Sequence, residues 1–479
     1  MGNAWKKAGL VGIGAVLGLL LSLNFSAMAD KEARLPIPYE DLQLFSAVFG
    51  RIKSDYVDPV SDDKLIKEAI NGMVHGLDPH SDFLDADAYK ELQVSTQGKF
   101  GGLGIEVGVE DGFIKVVSPI EDTPAFRAGI KAGDLIIKID DIATRGMALT
   151  EAVQKMRGKP GTQIVLTIAR KDVDMPLTIP LTREEIVVKS VKAKMIEPHY
   201  GYIRVRQFQE RTGEDLAKAI KDLYKDGDLK GLVLDVRTDP GGLLPTAVGV
   251  AAAFLPKDAL VVYTDGRTPD ARMRLSANKE NYLRSRGDDY LRDLPAGIKT
   301  VPMVVLVDGG TASASEIVAG ALQDHKRAVI MGTQTFGKGS VQTILPLGHN
   351  TGLKLTTARY YTPNGRSIQA KGIEPDVAVD DGRDLPSRLK EANLEHHLEV
   401  PGAPGESGPD AKAKSAAAPA AIKIDTRPST KTEATPPPRF EFGAPEDFQL
   451  QQALNQLKGL PVMAASKALS AQATQAKPQ

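Results

Sequence analysis

The residues able to do chemistry fall into three short blocks. The first is Gly309-Gly310-Thr311-Ala312-Ser313-Ala314-Ser315-Glu316, which follows an apolar run and opens a helical pattern. Small residues let a ligand approach the backbone closely. A serine at a helix N-terminus lies beside unpaired N–H groups and the positive end of the helix dipole. Those are the donors a tetrahedral oxyanion needs. Ser313 and Glu316 also fit the capping-box pattern, so a purely structural cap explains the same residues. The second block, Phe336-Gly337-Lys338-Gly339-Ser340-Val341-Gln342, offers a base. A lysine is a base only when neutral, and burial favours that form. Phe336 and Val341 supply an apolar wall. If the stretch from Lys338 to Leu345 is a strand, Lys338, Ser340 and Gln342 share one face and Gln342 orients the amine. A solvated turn lysine is the alternative. The third block, Leu234-Asp235-Val236-Arg237-Thr238-Asp239-Pro240-Gly241-Gly242-Leu243-Leu244, leads from a buried strand through a glycine turn into an apolar helix. Ligands bind at the carboxyl ends of such strands. An N–H of Gly241 or Gly242, paired with that of Ala314, makes an oxyanion hole; a plain tight turn accounts for the pattern equally well.

Composition narrows the chemistry. The chain has 479 residues, 42% hydrophobic and 25% charged, which excludes wholesale disorder, collagen and a polytopic membrane protein. That length suggests about three domains. A net charge of −1 gives no reason to expect nucleic-acid binding. There is no cysteine, hence no disulfide, thiolate nucleophile or cysteine-based metal site, and only seven histidines. None of these suits a serine. His325 ends the helix that Ser313 begins, His349 sits in a turn, His75 and His80 fall in the helical N-terminal part, and His396-His397 borders a low-complexity stretch. Each reads as a surface residue.

Residues 1–29 read as an export signal: Lys6 and Lys7, an apolar run from Ala8 to Leu23, and the cleavage site Ala27-Met28-Ala29. Retention as an N-terminal anchor is the alternative. The absence of cysteine suits an oxidising compartment, and the expected location is the periplasm. Helices are expected from Tyr39, over Asp62 to Val74 and over Ala86 to Val94. From Gly98 the pattern alternates with period two. Asp111-Gly112 marks a hairpin, and Thr150 to Gly158 marks one helix. In Phe100-Gly101-Gly102-Leu103-Gly104-Ile105, a glycine loop feeds a strand, an arrangement that offers N–H groups to a chain-end carboxylate and an open edge to a peptide. From Tyr200 the pattern becomes β-α-β. The charged stretch 263–297 reads as a solvated insertion. Residues 401–440 read as a disordered linker. Phe448 to Leu457 forms a helix too short to stand alone, which should dock on something, another subunit included.

Together these blocks, with Gly76-Leu77-Asp78-Pro79-His80-Ser81, resemble the carboxyl-terminal processing (tail-specific) proteases of peptidase family S41. The similarity runs from about Tyr39 to about Asp380, and the order and spacing of Ser313 and Lys338 are its most specific part. The resemblance implies a multidomain α+β chain: an N-terminal helical region (30–97), a PDZ domain (98–183), a crotonase-like β-α-β protease core (184–385), a disordered linker (386–443) and a short C-terminal helix and tail (444–479). It implies Ser313 as nucleophile, Lys338 as general base and Gln342 as its orienter, with Ala314, Gly241 and Gly242 forming the oxyanion hole. Leu103, Gly104 and Ile105 would bind substrate C-termini, and Arg157 is the candidate for a PDZ arginine that contacts the catalytic glutamine or its neighbourhood. Thr238-Asp239 departs from the Asn-Asn often found before Pro-Gly-Gly. No cofactor or metal is expected. The expected partners are proteins with exposed C-termini, an activating protein and further copies of the chain, with membrane contact only through the N-terminal segment. The rival readings are an inactive PDZ scaffold or chaperone that binds chain ends, and an acyl-transfer or hydratase enzyme on a related core.

Overall fold

Every residue of the strands Gly231–Asp235 and Met303–Val307 is buried, as expected for parallel strands covered on both faces. In the computed structural model, which describes residues 38–171, 173–283, 287–382, 390–400 and 442–464, they are central to a six-stranded sheet. Its order is Val191–Glu197, Tyr200–Val205, Gly231–Asp235, Met303–Val307, Val329–Gly332 and Val377–Ala378. All neighbours are parallel except the first pair. On one face, the helices Thr212–Leu223, Leu244–Phe254 and Ala314–Asp324 bury the main core with Leu234, Val305 and Ile330. The helix Leu244–Phe254 is apolar all round, which suits a helix with no solvent face.

The other face is closed by the C-terminal segment. Leu450, Ala453 and Leu454 of the helix Phe448–Leu457 pack with Tyr202, Val233, Val304 and Leu306. The helix expected to seek a partner therefore finds it in its own chain. A second sheet joins Asp82–Leu84, Thr351–Tyr361, Leu260–Gly266 and Arg274–Ser276, with Ser340–Leu347 paired to Thr351–Tyr361. The charged stretch is not simply a solvated insertion. Ala277 and Tyr282 enter the main core, and Tyr290, Leu291 and Leu294 pack against it. These five apolar anchors override the surrounding charge.

The part expected to be a PDZ domain is an antiparallel sheet of Ile105–Glu110, Phe113–Pro119, Leu135–Ile139, Gln163–Ala169 and Leu177–Thr182, with the short strand Ile142–Ala143 beside the third. Along Gln163–Ala169, Ile164, Leu166 and Ile168 point inward in alternation. Asp111 and Gly112 both have positive φ at the hairpin expected there. Lys99–Gly102 pairs with Glu184–Val187 where the chain enters and leaves.

The chain divides into two units, Met1–Ile70 and Asn71–Gln479. In the first, the helix Tyr39–Asp55 leaves Leu42, Phe45 and Val48 exposed. The expected export segment and most of the expected linker lie outside the described residues. Among the described residues no helix is long and apolar enough to cross a membrane.

Candidate active site

Three adjacent parallel strands each deliver one of the blocks. The turn Thr238–Gly242 follows Gly231–Asp235, Ser313 follows Met303–Val307, and Lys338 follows Val329–Gly332. Ser313 is the N-cap of the helix Ala314–Asp324, with φ 56° and ψ −116°. Such a backbone is strained for a residue with a Cβ, and strain of this kind is held by surrounding structure. The glycine turn is pressed against it. A Cβ on Gly241 would lie 2.7 Å from Ala314 N and 2.9 Å from Ser313 Cβ, and one on Gly242 would lie 2.2 Å from the Phe208 carbonyl oxygen. Gly241 also has φ 94°. Only glycine satisfies both requirements there. The Gly241 N–H donates to Asp239 Oδ1 at 2.8 Å.

Lys338 lies just before the strand Ser340–Leu347 rather than within it, following Gly337 at φ 97°. Its Nζ donates to Gln342 Oε1 at 2.6 Å. The backbone irregularity between Val341 and Gln342 helps aim that side chain back at residue 338. Ser313 and Lys338 are held by two shared partners. One is Glu316, fully buried, whose Oε2 accepts the N–H of Ser313 at 2.8 Å and of Lys338 at 3.0 Å. Its Oε1 accepts the Thr335 hydroxyl at 2.6 Å and the Gly337 N–H at 2.7 Å. The other is Tyr360, also buried, whose hydroxyl donates to the Lys338 carbonyl and lies near enough to the Ser313 side chain to feel it electrostatically.

Burial sets the electrostatics. It pushes the Lys338 amine down to about 8, helped by Lys354 and opposed by Glu391, Glu316 and Asp78. It pushes the Glu316 carboxyl up to about 7, against the pull of its four donors. It pushes Asp239 up to about 8, although the Gly241 N–H and Ser315 favour its charged form. Asp239 Oδ2 is buried without a hydrogen-bond partner. Behind the turn, Asp235 and Arg237 are paired at 2.8 Å and also buried. Burial would raise Asp235, but Arg237 outweighs it and holds the carboxyl down to about 2.

The remaining expected residues lie elsewhere. Leu103 is buried and Gly104 has φ 75°, with Thr123 filling the space a side chain would take. Ile105 starts the strand Ile105–Glu110, which ends its sheet and so presents an open edge. Arg157 does not contact Gln342. It pairs with Glu91 of the helix Ala86–Gln97 and lies over the Phe100 ring, 4.7 Å from its centroid. His80 is not a surface residue: its Nε2 sits 2.7 Å from the buried Glu391. His325 is bonded to the Leu260 carbonyl oxygen at 2.7 Å.

Comparison with known proteins now places the chain. The profile of peptidase family S41 matches residues 199–379, a PDZ-domain profile residues 115–170, and the profile "Activating protease CtpB N-terminal domain" residues 14–88. A carboxy-terminal-processing protease of Bartonella bacilliformis is 49% identical over 380 residues, which are 78% of this chain and 83% of that one. The chain belongs to the carboxy-terminal processing proteases of family S41. CtpB of Bacillus subtilis, a further relative, is 38% identical over 332 residues, 68% of this chain and 65% of that one. The photosystem II D1 C-terminal processing protease superposes with a TM-score of 0.41 at 30% identity, covering 74% of this chain and 92% of its own.

Within this S41 chain, sequence reading passed over four residues that touch the site or its supports. Glu316 was visible as a cap, but three of its four donors come from residues 335–338. Tyr360 and Thr356 sit in an ordinary alternating strand with nothing to mark them. Asp78 did carry a signal, as part of the turn block Gly76–Ser81.

Proposed function

We propose that this chain is an exported serine endopeptidase that cuts proteins near exposed C-termini. The observation that carries the proposal is the pairing of a buried, depressed lysine bonded to Gln342 with a strained serine at a helix N-terminus, both fastened to Glu316. In this reading the Ser313 Oγ attacks the scissile carbonyl carbon as its proton passes to neutral Lys338 Nζ. The carbonyl π electrons move onto oxygen, and the Ala314 N–H and a glycine N–H of the 241–242 turn receive the charge. Collapse breaks the C–N bond, Lys338 returns its proton to the leaving amine, and an acyl-enzyme remains. Water, deprotonated by Lys338, then releases the acyl group and restores Ser313.

The open edge of Ile105–Glu110 supports recognition of a substrate C-terminus by strand addition, with Leu103 and Gly104 beside its carboxylate. Residues 1–29 and the lack of cysteine support export to the periplasm. The exposed Leu42, Phe45 and Val48 support self-association through the N-terminal helix.

One observation favours a resting enzyme that awaits an activator, or the inactive scaffold. The Gly241 N–H is committed to Asp239, and among the described residues Lys338 Nζ makes no hydrogen bond to Ser313. Incubation of mature protein with an unfolded substrate separates these readings. Turnover by the wild type, lost in Ser313→Ala and in Lys338→Ala with folding retained, supports the dyad. Binding without turnover in every form supports the scaffold, and turnover gained on adding a second protein identifies an activator. Full activity in folded Lys338→Ala sinks the dyad.

A further inference from the structure

The turn Asp78–Ser81 lies far from Ser313 in sequence and outside the matched protease segment, yet it reaches the proposed base through three successive hydrogen bonds, by way of Thr356 and Gln342. Asp78 is buried. Its Oδ1 accepts the N–H groups of His80 and Ser81, each at 2.9 Å, and the Thr356 hydroxyl at 3.0 Å. Its Oδ2 accepts the Ser81 hydroxyl at 2.6 Å. The Ser81 oxygen in turn accepts the Thr356 N–H at 3.0 Å. Thr356 Oγ1 then accepts from Gln342 Nε2 at 3.1 Å, while Ser340 Oγ accepts from the same nitrogen at 3.0 Å. Gln342 Oε1 is left for Lys338 Nζ.

We propose that Thr356, held by Asp78, is a positioning residue that sets the direction of hydrogen bonding at Lys338 and so aims the amine lone pair at Ser313. The inference rests on the Ser–Lys reading above. Its logic is donor counting. An ionised carboxylate has no hydrogen to give, and a threonine hydroxyl has one. With that hydrogen spent on Asp78, Thr356 can only accept. Gln342 must therefore turn its NH2 toward Thr356 and Ser340, and its carbonyl toward Lys338. A neutral lysine amine has two hydrogens and one lone pair. Giving a hydrogen to Gln342 leaves the lone pair free for the serine proton. A flipped Gln342 would point its NH2 at the amine and occupy the lone pair, so the base would be consumed by its own neighbour.

Asp78 suits the role. Burial would raise its carboxyl, but hydrogen bonds from Ser81, His80 and Thr356 outweigh that and hold it below the usual carboxylate range. It thus stays an acceptor wherever the amine is neutral. The charged groups acting on Lys338 are Lys354, Glu391, Glu316 and Asp78. Of these, Glu391 is bonded to His80 and to Gln369 Nε2, at 2.7 Å each.

The test compares Thr356→Val, Thr356→Ser and Asp78→Asn with the wild type on an unfolded protein substrate. Thr356→Val leaves every charge in place. Its kcat should fall roughly tenfold or more, with KM within about twofold and the acid limb of the pH–rate profile unmoved. Thr356→Ser should restore kcat. Asp78→Asn keeps a carbonyl acceptor for Thr356 but loses a negative charge near the amine, so its acid limb should move to lower pH. Binding of a C-terminal peptide to the PDZ domain should be unchanged in all three, which separates positioning from misfolding. Thr356→Ala serves where valine is not accommodated. Wild-type kcat in folded Thr356→Val or Thr356→Ala overturns the inference while leaving the dyad standing. Activity retained in Ser313→Ala or Lys338→Ala overturns both.

Discussion

Arg237 and Asp447 stand 210 residues apart in sequence and meet through two hydrogen bonds of 2.9 and 2.6 Å. Arg237 is itself bonded to Asp235 at 3.0 and 2.8 Å, and to Gln449 at 2.9 Å. The guanidinium begins the segment that becomes the Gly241-Gly242 turn, so the C-terminal helix is tied directly to the loop beside Ser313.

Removing Asp447 strips a buried cation of one of its two carboxylates. Asp447→Ala should cost about 3 kcal/mol of stability, the usual order for breaking a buried pair by deleting one partner. Denaturant melts of the mature protein measure this, and an unchanged midpoint would refute the view that the helix is a structural part of the core.

Glu316→Gln is close to isosteric but carries two hydrogens where the carboxylate had lone pairs. Four donors converge on Glu316, so at least two would face an N–H. Each buried donor left unpaired costs about 1–3 kcal/mol. Both a lower melting temperature and a kcat reduced by roughly tenfold are expected, since the backbone at 313 and at 338 loosens together. Wild-type kcat in this variant would show that the carboxylate does not hold the site.

Burial pushes two groups near Ser313 toward about 8, the Lys338 amine from above and the Asp239 carboxyl from below, and they act in opposite directions. On the proposed dyad Lys338 works only when neutral, so kcat/KM should rise as pH passes upward through that region. Asp239 has the opposite sign. It is neutral below its pKa, and at higher pH it ionises beside the turn where oxyanion charge develops. The expected profile is a narrow bell. Asp239→Asn keeps an acceptor for the Gly241 N–H and cannot ionise, so its alkaline limb should flatten. Identical alkaline limbs in the two proteins would assign that limb to another group.

Gly241→Ala places a methyl against Ala314 N and Ser313 Cβ at distances real Cβ atoms do not show. The turn must move away from Ser313. A loss of roughly a hundredfold in kcat is expected, the order seen when one oxyanion donor is removed, with PDZ peptide binding retained. Activity near wild type would place the oxyanion donors elsewhere.

Much of the architecture was legible because local patterns were strong. The helix within Asp62–His75, the hairpin at Asp111-Gly112 and the helix Phe448–Leu457 fall where the sequence pattern puts them. What periodicity cannot supply is the partner. The apolar stripe of Phe448–Leu457 says that something covers it, not that strands more than 100 residues earlier do. The same limit hid the surroundings of Lys338. Its link to Gln342 is local and could be anticipated, whereas Thr356, Tyr360 and Asp78 arrive through sheet pairing. His80 reads as a surface histidine because its carboxylate, Glu391, is 311 residues away. The charged stretch misled for a different reason: average charge says little when Tyr282, Tyr290, Leu291 and Leu294 do the packing.

The docked helix has a bearing on what happens if the chain is cut. Glu391 is buried in the body, and the chain is packed there again by Phe442. A break anywhere between Val400 and Phe442 would sever a peptide bond without severing the particle. Leu450, Ala453, Leu454 and the Arg237 pairs would hold the short piece in place. Such a protein would run as two bands on a denaturing gel and as one species in solution, tolerant of the attack that it directs at other chains.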